Sequence, residues 1–237
     1  PPPPGAPAAA LAAAGHVHWG WLGKQQRNFA VLLESLAAAA SKGSGARAPP
    51  PTSQYGEPGY YYQVAASCAL NRRQCAEQLA ALPGGGADAL VEGRPWHALA
   101  AELGVPGEAN GREDSEAVID HLTKAYEHFK KGGYSARMIL FLALQMAHEY
   151  LYVRNYDMAK RFYERILPSY QKEQWWAVLA QIQTALRECA LQLKLLPEYV
   201  SACVALLSAH LSDAAGAAAA LLQLRALVRL AAPSELP

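Results

Sequence analysis

The chain has little net charge, few cysteines and no apolar run long enough to cross a bilayer, and each shortage removes a class of function. Its 21 basic and 20 acidic residues leave a formal charge of +1. No bulk field therefore draws nucleic acid or an anionic membrane, and neither is expected as a partner. The richest apolar stretch, Met138 to Ala147, is about half of the roughly 20 residues a span needs. The later Ala/Leu run is broken by Gln223, Arg225 and Arg229, so direct membrane insertion is not expected. The cysteines number 4. Cys68 and Cys75 lie two helical turns apart, roughly 10 Å, beyond the reach of a disulfide. Cys189 and Cys203 fall on successive predicted helices and could meet, but packing as small buried hydrophobes is the commoner fate. Four structural thiols suit a reducing cytosol.

Chemistry is equally scarce. His148-Glu149 lacks the second histidine of a zinc-protease helix, and no glycine loop ends in Lys-Ser/Thr to cradle a phosphate. His121 and His128 share a face two turns apart, whereas a metal pair needs i,i+4 spacing and further ligands, so both read as solvent-edge histidines. His16 and His18 fall in the N-terminal lead and receive the same reading. No Cys-x2-Cys pair supports structural zinc. No catalytic, cofactor-binding or metal-ligating residue is assigned, no cofactor is expected, and the chain is not expected to be an enzyme. The opening Pro1 to Pro4 without an initiator Met suggests a fragment of a longer protein.

What the chain does have is apolar content, 52% of 237 residues, ample for a large core. It also has a repeated helical signature. Ala125/Phe129 recurs as Ala159/Tyr163, 34 positions later, which is the tetratricopeptide (TPR) period. A small residue four before an aromatic puts both on one helical face, so a neighbouring helix can approach the alanine and pack on the ring. Ala202/Leu206 keeps the spacing in weaker form. The expected fold is all-α, a right-handed α-solenoid of degenerate TPR-like helical hairpins, and such arrays present surfaces for partners.

Along the chain, residues 1–18 read as a disordered Pro/Ala lead, 19–232 as the helical repeat domain with a Gly/Pro-rich insertion at 83–113, and 233–237 as a tail. A first helix over Trp19 to Ala40 carries Leu22, Phe29, Leu32, Leu33 and Leu36 on one face. Pro58 opens a second, whose small-residue face of Tyr61, Val64, Ala65, Cys68 and Ala69 precedes the charged pair Arg72 and Arg73. Within the insertion, Trp96, His97 and Leu99 could form a short helix. Asp114 or Ser115 can cap the next helix, striped by Val118, Leu122, Ala125, Tyr126 and Phe129 and closed by Gly132-Gly133. The helix from Arg137 to Val153 is apolar almost all round and should be buried. Tyr156 to Leu167 turns Met158, Ala159, Phe162, Tyr163 and Ile166 inward, pairs Asp157 with Arg161 outside, and ends at Pro168. A longer helix then carries Trp175, Leu179, Ile182, Leu186, Cys189 and Leu193 as a seam that wants a partner. Helices from Tyr199 to Leu211 and from about Ala214 to Leu230 follow, the last with Arg225 and Arg229 on a shared face.

Two aromatic groups invite an interface reading. Trp175 falls on the seam and reads as core, while Trp176 points to a neighbouring angle and is expected to be partly exposed. Tyr60-Tyr61-Tyr62 covers three sides of a helix, so at least one ring should reach the surface. Tyr60 and Trp176 are the candidate interaction residues.

The stretch His121-Leu-Thr-Lys-Ala-Tyr-Glu-His-Phe-Lys-Lys131, then Glu149-Tyr150 leading to Asn155-Tyr156-Asp157-Met158-Ala159, then Tyr170-Gln-Lys-Glu-Gln-Trp-Trp176 before a leucine-rich helix, resembles the foie gras domain found in subunit 11 of the transport protein particle (TRAPP), a multisubunit vesicle-tethering complex. Arg27-Asn28-Phe29 and Pro58-Gly59-Tyr60-Tyr61-Tyr62-Gln63 also fit that pattern, and the likeness covers roughly two thirds of the chain. The positions carrying it include Tyr150, Tyr156, Ala159, Trp175 and Trp176. The segment from Pro83 to Asn110 and the alanine-rich ends depart from it. The resemblance implies a non-catalytic scaffold that contacts other TRAPP subunits and, indirectly, Rab-family GTPases. It further implies endoplasmic reticulum to Golgi and intra-Golgi transport and autophagy, at a cytoplasmic site peripheral to Golgi and early secretory membranes. The alternative is an independent TPR-type adaptor for short peptides or a single partner; only two hairpins keep register and their inner faces are apolar, which argues against a peptide clamp.

Overall fold

A computed structural model of the chain describes residues 8–44, 56–82, 89–105, 111–133, 135–208 and 214–231. Among the described residues the architecture is all-α apart from one small hairpin. The chain divides into two compact units, the first ending at Leu142 and the second beginning at Ala143. The expected tail at 233–237 lies outside the described residues, as do the first seven residues of the expected lead.

In the first unit, α1 (Ala8–Ser44) packs along α2 (Pro58–Ala80), and α2 packs on α4 (Gly111–Gly132). The helix α1 begins eleven residues before the expected Trp19. Most of the Pro/Ala lead is therefore structured: Ala12 and Ala13 pack with Leu79 and Ala89, and Val17 packs with Ala100 and Val105. Alanine is the best helix former, so a run of it beside small buried contacts needs no bulky side chain to be held. The buried face of α1 is set by close approach: a Cβ at Gly20 would stand 2.3 Å from Val105 Cγ1, and one at Gly15 would stand 2.7 Å from the Cys75 sulfur. The bulkier stripe expected to face inward points out instead, with Phe29, Leu32 and Leu36 exposed at 54%, 52% and 56%. Small residues win the interface because they let the helix backbones come closer.

The same shift occurs on α2. Its buried face is Tyr62, Ala65, Ala66, Cys68, Arg72 and Leu79, so Tyr61, Val64 and Ala69 sit at its edge and Arg72 lies inside. The helix α4 starts at Gly111, which puts Asp114 and Ser115 in the helix and not at its cap. Both are buried, and α2 engages them through Arg72 and Arg73. Val118, Leu122, Ala125 and Phe129 form the buried stripe as expected. The Ala125/Phe129 spacing receives the start of α2, where a Cβ on Gly59 would lie 3.2 Å from the Ala125 carbonyl oxygen and 3.4 Å from the Phe129 ring.

The described part of the insertion is a hairpin of β1 (Leu90–Val91) and β2 (Arg94–Pro95), followed by the short helix α3 (Trp96–Glu102) at the place expected. Register pairs Leu90 with Pro95 and Val91 with Arg94. Glu92 and Gly93 both take positive φ, the two-residue turn that matches the twist of paired strands. Residues 83–88 and 106–110 of the insertion lie outside the described residues.

The helix α5 (Ala136–Tyr152) carries the division between the units. Leu142, Ala143, Leu144, Met146 and Ala147 are buried, but Phe141 is exposed, so α5 is less enclosed than its composition suggests. In the second unit α6 (Tyr156–Glu173), α7 (Trp176–Gln192), α8 (Leu196–Leu206) and α9 (Ala214–Ala231) each pack on the next. Pro168 sits inside α6 and does not end it. The lost amide bond is tolerated because Ile166 and Tyr170 extend the buried face of Ala159 and Tyr163 through the next turn. Lys160 and Glu164 form an i,i+4 ion pair on α6 at 3.0 Å, in place of the expected Asp157–Arg161. Leu179, Ile182 and Cys189 are buried on α7, and Ala202 and Leu206 on α8. Trp175, read as core, caps α7 and is 44% exposed. The seam expected to begin with it starts one turn later, because the left-handed residue Gln174 resets the direction of the chain before α7. Arg225 belongs to the described side chains of α9 and Arg229 does not.

Three junctions in this unit share one geometry. Arg154, Gln174 and Lys194, spaced 20 residues apart, are left-handed at φ 61°, 58° and 59°. In each, the next residue donates its amide five residues back: Asn155 to Tyr150, Trp175 to Tyr170 and Leu195 to Ala190, at 2.8, 3.2 and 2.8 Å. This is the Schellman closure, which satisfies the orphan carbonyls at a helix C-terminus.

Candidate functional site

Two polar junctions organise the first unit. At one, the Arg72 guanidinium of α2 forms an ion pair with Asp114 of α4, and both side chains are almost fully buried. Arg73 reaches Ser115 at 2.7 Å beside it. His16, from the segment expected to be disordered, is completely buried near this pair. Its ring meets Trp96 edge-on at 5.1 Å. Burial, helped by the charge of Arg72, pushes its pKa down to about 4, so the imidazole is neutral at pH 7.

At the other junction, Glu34 of α1 joins α2 and α4. The Tyr62 hydroxyl lies 3.1 Å from Glu34 Oε2, as donor, and His128 Nε2 lies 2.7 Å from Glu34 Oε1. His128 Nδ1 stands 3.6 Å from Glu57 Oε1, and the Tyr62 ring stacks on His128 at 5.9 Å. The Tyr62 hydroxyl is pushed up to about 12 by burial and by Glu34. His128 is thus a joint between helices and not a solvent-edge residue. His121 is also partly enclosed, its pKa lowered by burial.

The second unit holds the Ala159/Tyr163 signature in its core, both residues fully buried. The His148 ring lies 5.8 Å from that of Tyr163, and Tyr150 stacks on Phe162 at 5.4 Å. Tyr156 is half-buried at the start of α6. Lys160 bridges Glu164 and, at 3.3 Å, Glu198 of α8. These positions are packing positions. Trp175 and Trp176, by contrast, stand 44% and 40% exposed, with Trp175 leaning on Tyr170 at 5.9 Å. In the first unit Tyr60 is half-buried and meets Tyr61 edge-on at 5.4 Å. The structure leaves both candidate interaction residues, Tyr60 and Trp176, partly accessible, and adds Trp175 and the α1 row of Phe29, Leu32 and Leu36.

All four cysteines are free. Burial pushes the thiols of Cys68 and Cys189 up to about 11, the opposite of what a nucleophile needs. Among the described residues no group of three or more His, Cys, Asp or Glu side chains could hold a metal ion. No helix among them is long and apolar enough to cross a membrane. Sequence reasoning missed Glu34, Arg72 and Asp114. The one available signal was the matched order of two doublets, Arg72-Arg73 and Asp114-Ser115, which pair residue for residue across α2 and α4.

The chain is 28% identical over 211 residues to trafficking protein particle complex subunit 11 of Bos taurus, covering 78% of this chain and 18% of that protein. It is 27% identical over 211 residues to the Gallus gallus protein of the same name, with the same coverage of each. A third match, to the Homo sapiens protein, is 32% identical over 88 residues, 37% of this chain and 8% of that one. The chain thus spans about a fifth of the length of these relatives. The model of Foie gras liver health family 1 matches residues 9–209, which include all of α1 but its first residue, both polar junctions, the Ala159/Tyr163 core and the exposed tryptophans. The chain belongs to Foie gras liver health family 1.

Proposed function

We propose that this chain is the foie gras portion of a TRAPP-type subunit and acts as a non-catalytic scaffold, docking other TRAPP subunits. The observation that carries the reading is the family match over residues 9–209, which runs through both units. The similarity to proteins named trafficking protein particle complex subunit 11 supplies the complex. Helices joined in sequence by repeated tight turns support a right-handed α-solenoid of TPR-like hairpins, which would extend surface area with few residues. On this reading the chain serves endoplasmic reticulum to Golgi and intra-Golgi transport and autophagy. It works at the cytoplasmic face of those membranes, and its link to Rab-family GTPases runs through the assembled complex.

The exposed Trp175/Trp176 pair is the docking feature of choice, since tryptophan dominates the energetics of protein interfaces. The test is affinity purification of the tagged full-length protein from its own cells, followed by mass spectrometry. Recovery of TRAPP subunits is expected, with at least a tenfold loss in the Trp175→Ser/Trp176→Ser variant at unchanged thermal stability. Recovery of no TRAPP subunit would sink the reading. Recovery unaffected by the double substitution would move docking away from this corner.

A further inference from the structure

We propose that the distal part of α1 pairs with the same segment of a second copy of this chain, the two helices running antiparallel about a two-fold axis that passes between Leu32 and Leu36. Phe29, Leu32, Leu36 and Ala39 step by three, four and three along α1, the spacing of a seam that packs on one facing helix. The first three are each more than half exposed, and Ala39 is exposed as well. The other side of the helix is the one held in place. Ala30 is buried, and Glu34 bonds to Tyr62 of α2 and His128 of α4. At about 100° per residue, Leu32 stands about 160° from both, so the seam is turned away from the body of the unit. The segment already belongs to a 37-residue helix. Pairing therefore avoids the nucleation cost that a free helix would bear.

Charge selects the occupant. Between Asn28 and Ala40 the one charged residue is Glu34, and it is turned toward α2 and α4. The positions flanking the seam are Asn28, Leu33, Ser35 and Ala40. In pairs of unlike helices these positions carry the charges that choose the partner; here nothing selects a foreign helix. A two-fold interface sets each patch against itself, so a net charge on the patch would repel its own copy. This patch carries none. A bilayer fits it less well, because helices that lie on membranes bring Lys and Arg along their polar face, and neither occurs between Asn28 and Ala40.

Side-chain size selects the direction. In an antiparallel pair centred between Leu32 and Leu36, Phe29 faces Ala39 of the second copy and Leu32 faces its Leu36. Each layer then sets a large residue on a small one, or leucine on leucine, and the seam fills evenly. A parallel pair would set Phe29 on Phe29 and Ala39 on Ala39, crowding one end and leaving a gap at the other. The seam from Phe29 to Ala39 is roughly 15 Å long, so the pairing is weak and reversible, at the small end of specific interfaces.

The test is sedimentation equilibrium of the 237-residue chain from micromolar to near-millimolar concentration. The mass is expected to rise from that of one chain toward that of two. Leu32→Glu and Leu36→Lys, both at exposed positions, are each expected to weaken pairing by about tenfold or more, through an unpaired charge in the seam, at unchanged thermal stability of the monomer. An equimolar mixture of these two variants is expected to pair again. The antiparallel register sets the introduced carboxylate against the introduced ammonium in one layer and keeps two leucines in the other. Mixing Leu32→Glu with Leu32→Lys makes no such contact and is expected to stay monomeric. A wild-type chain that remains monomeric throughout, whether or not vesicles or another protein bind the face, would overturn the proposal. So would pairing undiminished in both single variants, or rescue in the second mixture in place of the first.

Discussion

The helices of the first unit are joined by polar side chains set between them, Arg72 with Asp114 in a buried ion pair and Glu34 with Tyr62 and His128 in a half-buried cluster, and by glycines that let backbones approach. Those of the second unit follow one another through three Schellman turns of matching geometry and meet over an apolar face of Ala159, Tyr163, Ile166, Ile182 and Cys189. The contrast concerns where specificity resides. In the second unit the turn fixes the direction of each successive helix, and side chains need only fill the space left. In the first unit α2 and α4 are separated by 30 residues including a hairpin and α3, so no turn can set their register. Directional charge pairs between the helices do so instead. Such pairs add little net stability over an apolar replacement, yet they are costly to break singly.

The largest expected effect therefore belongs to the first unit. Arg72→Leu leaves the Asp114 carboxylate buried without its cation and is expected to cost about 3–5 kcal/mol. The double variant Arg72→Leu/Asp114→Leu is expected to recover most of that loss. Denaturant unfolding of the two variants checks this. A loss in the double variant equal to that in the single one would mean that the pair contributes net stability, and the contrast with the second unit would disappear.

The next effect is a pH dependence in the same unit. The folded pKa of His16 is lowered to about 4 from 6.5, by burial and then by Arg72. Its contribution is complete above 6.5, and is lost as the pH falls toward 4, because the unfolded chain binds the proton first. At about 1.4 kcal/mol per pKa unit, the loss over this window is about 3 kcal/mol. His16→Phe is expected to be less acid-sensitive than the parent by that amount, measured as the difference in unfolding free energy between pH 7 and pH 4. Parallel curves for the two proteins would remove His16 from the account.

These two predictions rest on contacts that the sequence did not show, and the reason is physical. Period and spacing identify faces that repeat within one helix, which is why Val118, Leu122, Ala125 and Phe129, or Ala159 and Tyr163, were legible as core. They do not show which of two possible faces a helix buries when one is bulky and the other small. On α1 the bulky stripe of Phe29, Leu32 and Leu36 gave way to Ala12, Ala13 and Gly20, since close backbone approach outweighs side-chain size. Pairing between distant segments is still less visible: Glu34 and His128 are 94 positions apart, and no local rule connects them. Pro168 was misread for a related reason, because its effect depends on how much apolar face continues beyond it. The candidate surface was half legible. Trp176 was placed correctly as partly exposed, while Trp175, the residue assigned to the seam, is exposed as the cap of α7.

The smallest effect probes the second unit, where the turns are the device. Arg154, Gln174 and Lys194 hold left-handed backbone that a Cβ disfavours. Glycine is the usual residue at this position, as it is in the first unit, where Gly104 at φ 63° makes the same closure through the Val105 amide to Ala100 at 2.8 Å. Arg154→Gly, Gln174→Gly and Lys194→Gly are each expected to stabilise the protein by about 0.5–1 kcal/mol, the strain relieved less the added freedom of the unfolded chain. Gly104→Ala is expected to destabilise by about 1 kcal/mol through the same strain with the opposite sign. It also moves an atom toward the Lys24 ammonium, which would sit 2.8 Å from the new Cβ but is the far end of a flexible chain able to move aside. Thermal unfolding of the four variants measures both signs in one series. If the three glycine substitutions were destabilising, the long polar side chains at these corners would have to supply contacts worth more than the strain, and the second unit would depend on its surface side chains as much as the first depends on its buried ones.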